Sequence, residues 1–165
     1  MSRPRTIPDT DIYAAILRLI AEGGEKSVAF STVARATGLA APSLVQRYGA
    51  LPEMVHTALL GEWDRLDSVT QAVVNSASTT TKGSVALLKA LSPAPSPALL
   101  AASLRNATLR SRASTWRSHV MAALIARQGD PDQAAMLFAA WLGLGSWDGF
   151  GDKGFKLKDL AKVIG

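Results

Sequence analysis

The hydrophobic positions fall into a series of helical stripes, broken by glycine, proline and short polar runs. Ile12, Ala15, Ile16, Leu19 and Ile20 repeat at i, i+3, i+4, i+7 and i+8, the spacing of one buried helical face. Asp9 or Thr10 is expected to cap this first helix, and Gly23-Gly24 to end it. Val28 and Phe30 follow, with Phe30 placed to staple the next turn. Ser31 is then expected to cap a second helix carrying Val33, Ala34 and Ala36. Gly38 stops it, because a residue without Cβ enters the left-handed C-cap conformation cheaply. Leu39 plugs the turn. Pro42 opens a third helix, where a missing N–H costs nothing. Leu44 and Tyr48 face inward, leaving Ser43, Gln46 and Arg47 outward.

Gly49-Ala50 makes the next turn and Pro52-Glu53 opens a long helix. Its stripe of Val55, Leu59, Trp63, Leu66 and Val73 runs to about Asn75. Residues 76–84, SASTTTKGS, are expected to form a loop. Val85 to Leu91 is a short helix, and the prolines of Ser92 to Pro97 impose an extended segment. Ala98 to Ala107 forms another helix. Leu109, Ala113, Trp116, Val120 and Leu124 mark a further stripe. Asp130 caps and Pro131 opens the next helix, expected to run to Phe150. That helix is apolar nearly all round, so it needs cover on all sides. Gly143 and Gly145 each cost about 1 kcal/mol against Ala in a helix interior, which close backbone approach can offset. With Leu109 to Arg127, it is expected to form a four-helix interface in a symmetric dimer. Leu157, Leu160, Ala161, Val163 and Ile164 suggest a short terminal helix.

The order of Ser31 to Tyr48 is the sequence form of a helix-turn-helix, whose second helix can enter the DNA major groove. With the Ile12 to Glu22 helix, Ser31-Thr32-Val33-Ala34, Gly38-Leu39, Ser43-Leu44, Arg47-Tyr48 and Glu53-Met54, it resembles the N-terminal domain of TetR-family transcriptional regulators over roughly residues 9–60. The resemblance implies an all-α dimer. It places a DNA-binding domain with an N-terminal arm at residues 1–50, and a shortened helical domain for ligand binding and dimerisation at 51–165. It also implies that effector binding changes the spacing of two reading heads, with repression the usual mode. Two positions depart from the family: Val45 stands where Tyr is usual and Leu51 where Lys is usual, so two phosphate contacts are missing.

A hydrophobic fraction of 48% with 19% charged residues fits a folded chain with a substantial core. The net charge of +5 favours a polyanionic partner. Its distribution is less pointed. Residues 1–60 hold six basic side chains (Arg3, Arg5, Arg18, Lys26, Arg35, Arg47) against five acidic ones. Within Ser31 to Gly49, Arg35 and Arg47 face no acidic residue. Arg3 and Arg5 lie on an N-terminal arm that can follow the DNA backbone or end as a loose terminus.

Gln46 is expected to read a base edge, since an amide can bond adenine bidentately. The resemblance puts Arg47 on a phosphate. The hydroxyls of Ser43 and Thr32 suit phosphate or base contact. Pro42, Val45 and Tyr48 complete the expected DNA face. Trp63, Trp116, His119, Phe138 and Trp141 are the candidates for lining an apolar effector site, though for any one of them packed core is the expected role ahead of ligand contact.

The chain has no cysteine, and its two histidines, His56 and His119, have no close acidic cluster, so neither a metal nor a cofactor is expected. Gly149, Gly151 and Gly154 match a dinucleotide-binding spacing, but no strand precedes them. No acid–base or nucleophile pair points to an enzyme. The N-terminus lacks the apolar core of a signal peptide, and Ala134 to Trp147 is too short to span a bilayer. A soluble, cytoplasmic regulator of double-stranded DNA is the expected whole. Its alternative is a helical ligand- or protein-binding dimer that has lost operator binding.

Overall fold

The computed structural model describes residues 7–76, 81–147, 150–151 and 154–164, without the side chains of Thr81 and Lys82. The arm arginines Arg3 and Arg5, and Gly149 of the glycine motif, lie outside them. Every regular element among the described residues is helical. The chain divides into two compact units, Met1–Asp64 and Arg65–Gly165, so the division falls inside the long fourth helix and not at residue 50. No described helix is long and apolar enough to cross a membrane.

The first unit holds α1 (Asp9–Gly23), a 3₁₀ turn (Glu25–Ser27), α2 (Phe30–Thr37), α3 (Ala41–Tyr48) and the first half of α4 (Leu51–Ser76). Its core is four of the five residues of the expected α1 face (Ile12, Ala15, Ile16, Ile20; Leu19 is half-buried) with Val28, Val33, Leu44, Met54, Ala58, Leu59 and Trp63. Both expected helix starts move. Neither Asp9 nor Thr10 caps α1; Pro8 holds the cap position, with no side-chain bond. Asp9 instead spends its carboxylate elsewhere. Nor does Ser31 cap α2, because Thr32 does that work from inside the helix. The Thr32 hydroxyl accepts from the Ala29 N–H at 2.8 Å, and its proton faces the carbonyls of Ser27 and Ala29 at 3.0 and 2.9 Å. One hydroxyl thus ties the turn to the helix start, satisfying an otherwise orphaned donor.

Within this unit α1 and α4 meet at Gly61. A Cβ there would lie 2.6 and 2.7 Å from Cδ2 and Cε2 of Tyr13. Gly61→Ala therefore gains about 1 kcal/mol of helix propensity but forces a rigid ring to move. Overpacking of this kind costs about 1–3 kcal/mol. The expected net is a loss of stability in chemical denaturation, removed when Tyr13→Ala is added. A stabilised single variant would contradict the contact.

The second unit holds the rest of α4, α5 (Thr81–Ala90), α6 (Pro97–Arg105), α7 (Ala107–Gln128), α8 (Pro131–Ser146) and α9 (Leu157–Ile164). The α4 stripe stands at Leu59, Trp63 and Leu66, which are buried, but its ends differ: Met54, Ala58 and Thr70 are buried, while Val55 and Val73 are half-buried. Helix α5 begins at Thr81, inside the expected loop; residues 77–80 are outside the described set. Its Ser84 is fully buried and donates to Oε1 of Gln128 at 3.2 Å, which is how a polar residue enters a core. Asn106, inside the run expected as one helix to Ala107, caps α7 by accepting from the Thr108 and Leu109 N–H groups at 3.0 Å each. The Asp130–Pro131 start of α8 stands as expected, with Asp130 accepting from the Gln133 N–H at 2.9 Å.

Helix α8 ends at Ser146, not at Phe150. Its apolar surface is covered in part, by α7 and α9. Ala134, Leu137, Phe138 and Trp141 are buried against α7 and their neighbours, while Met136 is 54% exposed and Trp147, just past the helix, 68% exposed.

Candidate nucleic-acid interface

The turn between α2 and α3 rests on one glycine. Gly38 sits at φ 74°, ψ 11°, the left-handed conformation that closes a helix, and its N–H donates to the Ala34 carbonyl at 2.9 Å. Helix α3 then starts at Ala41, with Pro42 in its first turn. Leu44 is its only buried residue. With one anchor facing in, the rest of the rod faces out. Pro42, Ser43, Val45, Gln46 and Arg47 are all exposed, and Tyr48 is half-buried. Five of the seven residues expected to meet DNA are therefore exposed. Thr32 does not present a free hydroxyl, since the α2 start uses it.

Arg47 is exposed but engaged. Its guanidinium lies 2.9 Å from the Asp9 carboxylate and donates to the Ile7 carbonyl at 3.1 Å. It also stands 5.9 Å from the centre of the Tyr48 ring. The Tyr48 hydroxyl donates to the same Asp9 carboxylate. Burial, and then the Asp9 charge and hydrogen bond, push the Tyr48 phenol well above its usual range, so it stays a donor. Desolvation and Asp9 also raise Tyr13.

Asp9 is the residue that sequence reasoning missed. Within Ser31 to Gly49 no acid faces Arg47, but α1 brings one from 38 positions away. No local pattern signals a pairing at that separation.

The aromatic candidates for an effector site pack mainly on each other. Trp116, Phe138 and Trp141 have ring centres 6.0–6.3 Å apart, all at tilted angles. The Trp116 indole N–H donates to the buried Thr70 hydroxyl at 2.9 Å, and the Thr70 hydroxyl donates to the Leu66 carbonyl at 2.8 Å. Trp116 borders a recess of only ≈ 40 Å³, far below the few hundred Å³ a small molecule takes. Trp63 is 2% exposed. His119 is exposed, 2.6 Å from Asp67 through Nδ1, and lies on an open groove of ≈ 560 Å³ between α4 and α7, where Arg127 forms part of the wall. Arg127 is 5% exposed and donates to the Ala123 carbonyl at 2.7 Å. The described lining of the His119 groove thus includes none of the three rings. Trp141 alone of that cluster reaches a second large groove.

No protein-family model matches the chain, and no curated protein does either. Among solved structures, the chain is similar to SCO7518 of Streptomyces coelicolor A3(2), described as a candidate transcriptional regulator. The two share 19% sequence identity at a TM-score of 0.66, over 95% of this chain and 96% of that one. At that identity the likeness establishes the fold: an all-helical chain of the same architecture.

Proposed function

We propose that the chain is a DNA-binding transcriptional regulator of the TetR type, in which α3 enters the major groove. The observation that carries this reading is the arrangement of α3: Leu44 buried, with Pro42, Ser43, Gln46 and Arg47 on one exposed surface. An amide and a guanidinium on such a surface suit base-edge and phosphate contact respectively. Structural likeness to a candidate transcriptional regulator supports the same reading. A homodimer on a two-fold operator follows, with the exposed apolar side of α8 as its interface. An apolar ligand in the second unit would act as a release signal only by binding the DNA-competent and incompetent states unequally. Selection of bound duplexes from a random pool tests the reading. A regulator enriches a two-fold symmetric sequence; a pool left unenriched would count against it.

One observation favours the second reading, a helical ligand- or protein-binding dimer without operator binding. The Asp9 carboxylate already neutralises Arg47, and Val45 and Leu51 supply no phosphate donor. The two readings part at Asp9→Asn. An exposed ion pair contributes no more than about 1 kcal/mol, so the variant folds. In the regulator, the freed Arg47 meets a phosphate without competition, and binding to random duplex tightens several-fold at low salt. Unchanged or absent binding in both proteins supports the second reading.

A further inference from the structure

The second unit carries a groove of ≈ 610 Å³ between the α5–α6 connection, α8 and the segment entering α9. Its wall is apolar: Ala94, Trp141, Leu144, Phe155 and Leu157. Its uncharged polar side chains are already used. The Trp141 indole N–H donates to the Ser92 hydroxyl at 3.2 Å, and that hydroxyl donates to the Leu88 carbonyl at 3.1 Å. What remains is two ammonium groups. Lys89 and Lys156 are both exposed and both line the groove, and neither has an acidic partner among the described residues. None of the described lining residues is acidic.

We infer that this groove binds an amphipathic carboxylate: an apolar chain lying along Trp141, Leu144 and Phe155, with its anionic head between Lys89 and Lys156. The inference names a ligand class for the regulator proposed above and so rests on that reading for its biological meaning, though the binding does not. Three features select this occupant. The volume falls in the range of small-molecule sites, roughly 300–1,000 Å³. An apolar wall whose indole and hydroxyl donors are satisfied rewards a chain without polar groups, because a buried unpaired polar group is costly. Two ammonium groups on the lining, with no acidic side chain among the described lining residues, favour an anion over a neutral or cationic head. Helix α9 has only one buried residue, Leu157, so the segment carrying Phe155 and Lys156 is lightly held where a ligand would enter.

The test is calorimetric titration of the full chain with decanoate and with decanol, each without DNA. Decanoate is expected to bind with one site per chain and roughly fivefold to tenfold more tightly than decanol, the scale of two exposed ion pairs. Lys89→Gln with Lys156→Gln changes exposed side chains only. It is expected to erase that preference while decanol binding persists. Equal affinity for the two probes, no binding of decanoate, or a preference that survives the double substitution would each overturn the inference. A parallel titration with random duplex separates the two claims: decanoate binding without DNA binding leaves the groove standing and removes the regulator.

Discussion

Trp116→Ala is expected to destabilise the second unit by about 3–5 kcal/mol, the cost of removing a large buried aromatic and leaving a cavity. Trp116 is 3% exposed and stands 6.0 and 6.3 Å, centre to centre, from Phe138 and Trp141. Its loss strips contacts from both rings and leaves the Thr70 hydroxyl without a donor. A domain's whole stability is about 5–15 kcal/mol, so one substitution removes a large part of it. Trp116→Phe keeps most of the buried area and forfeits the indole bond, so it is expected to cost less than the alanine change. Urea denaturation followed by far-ultraviolet circular dichroism measures both. A loss under about 1 kcal/mol for Trp116→Ala would mean that the ring walls a binding cavity and is not packed core.

Gln46→Ala carries the second large effect. Gln46 stands exposed on α3, one turn from the Pro42–Ser43 start. A bidentate amide–adenine contact is worth about 1–3 kcal/mol of discrimination, so its removal is expected to cut sequence preference by roughly five- to 150-fold. Binding to random duplex should hardly change. Arg47→Ala gives the complementary result: all sequences weaken together, and the salt slope flattens by about one unit. Competition between a selected operator and random duplex reads both. A Gln46→Ala protein with undiminished preference would place readout elsewhere on the chain.

Local features of this molecule are legible in its sequence. The α1 face, the Gly38 stop, and the Asp130–Pro131 start each depend on residues within a turn or two of one another, where spacing determines geometry. What escaped depends on contacts across the fold. Asp9 reads as a helix cap until α3 brings Arg47 and Tyr48 beside it. Ser84 reads as loop until Gln128 accepts its proton. Asn106 sits in an alanine- and leucine-rich run, though its side-chain amide oxygen starts a new helix. The aromatic candidates show the same boundary. Their residue types favour a core without excluding a ligand cavity, and it is the distances between Trp116, Phe138 and Trp141 that show these three rings packed on one another.

Binding of the full chain to random duplex DNA across a range of salt concentrations tests the exposed face of α3 most directly. A protein that lays this face against the phosphate backbone gives a straight log–log plot with a slope of about −0.9 for each phosphate neutralised, and several are expected. A slope indistinguishable from zero, or no binding at low salt, would contradict the proposal that α3 is a DNA-reading helix.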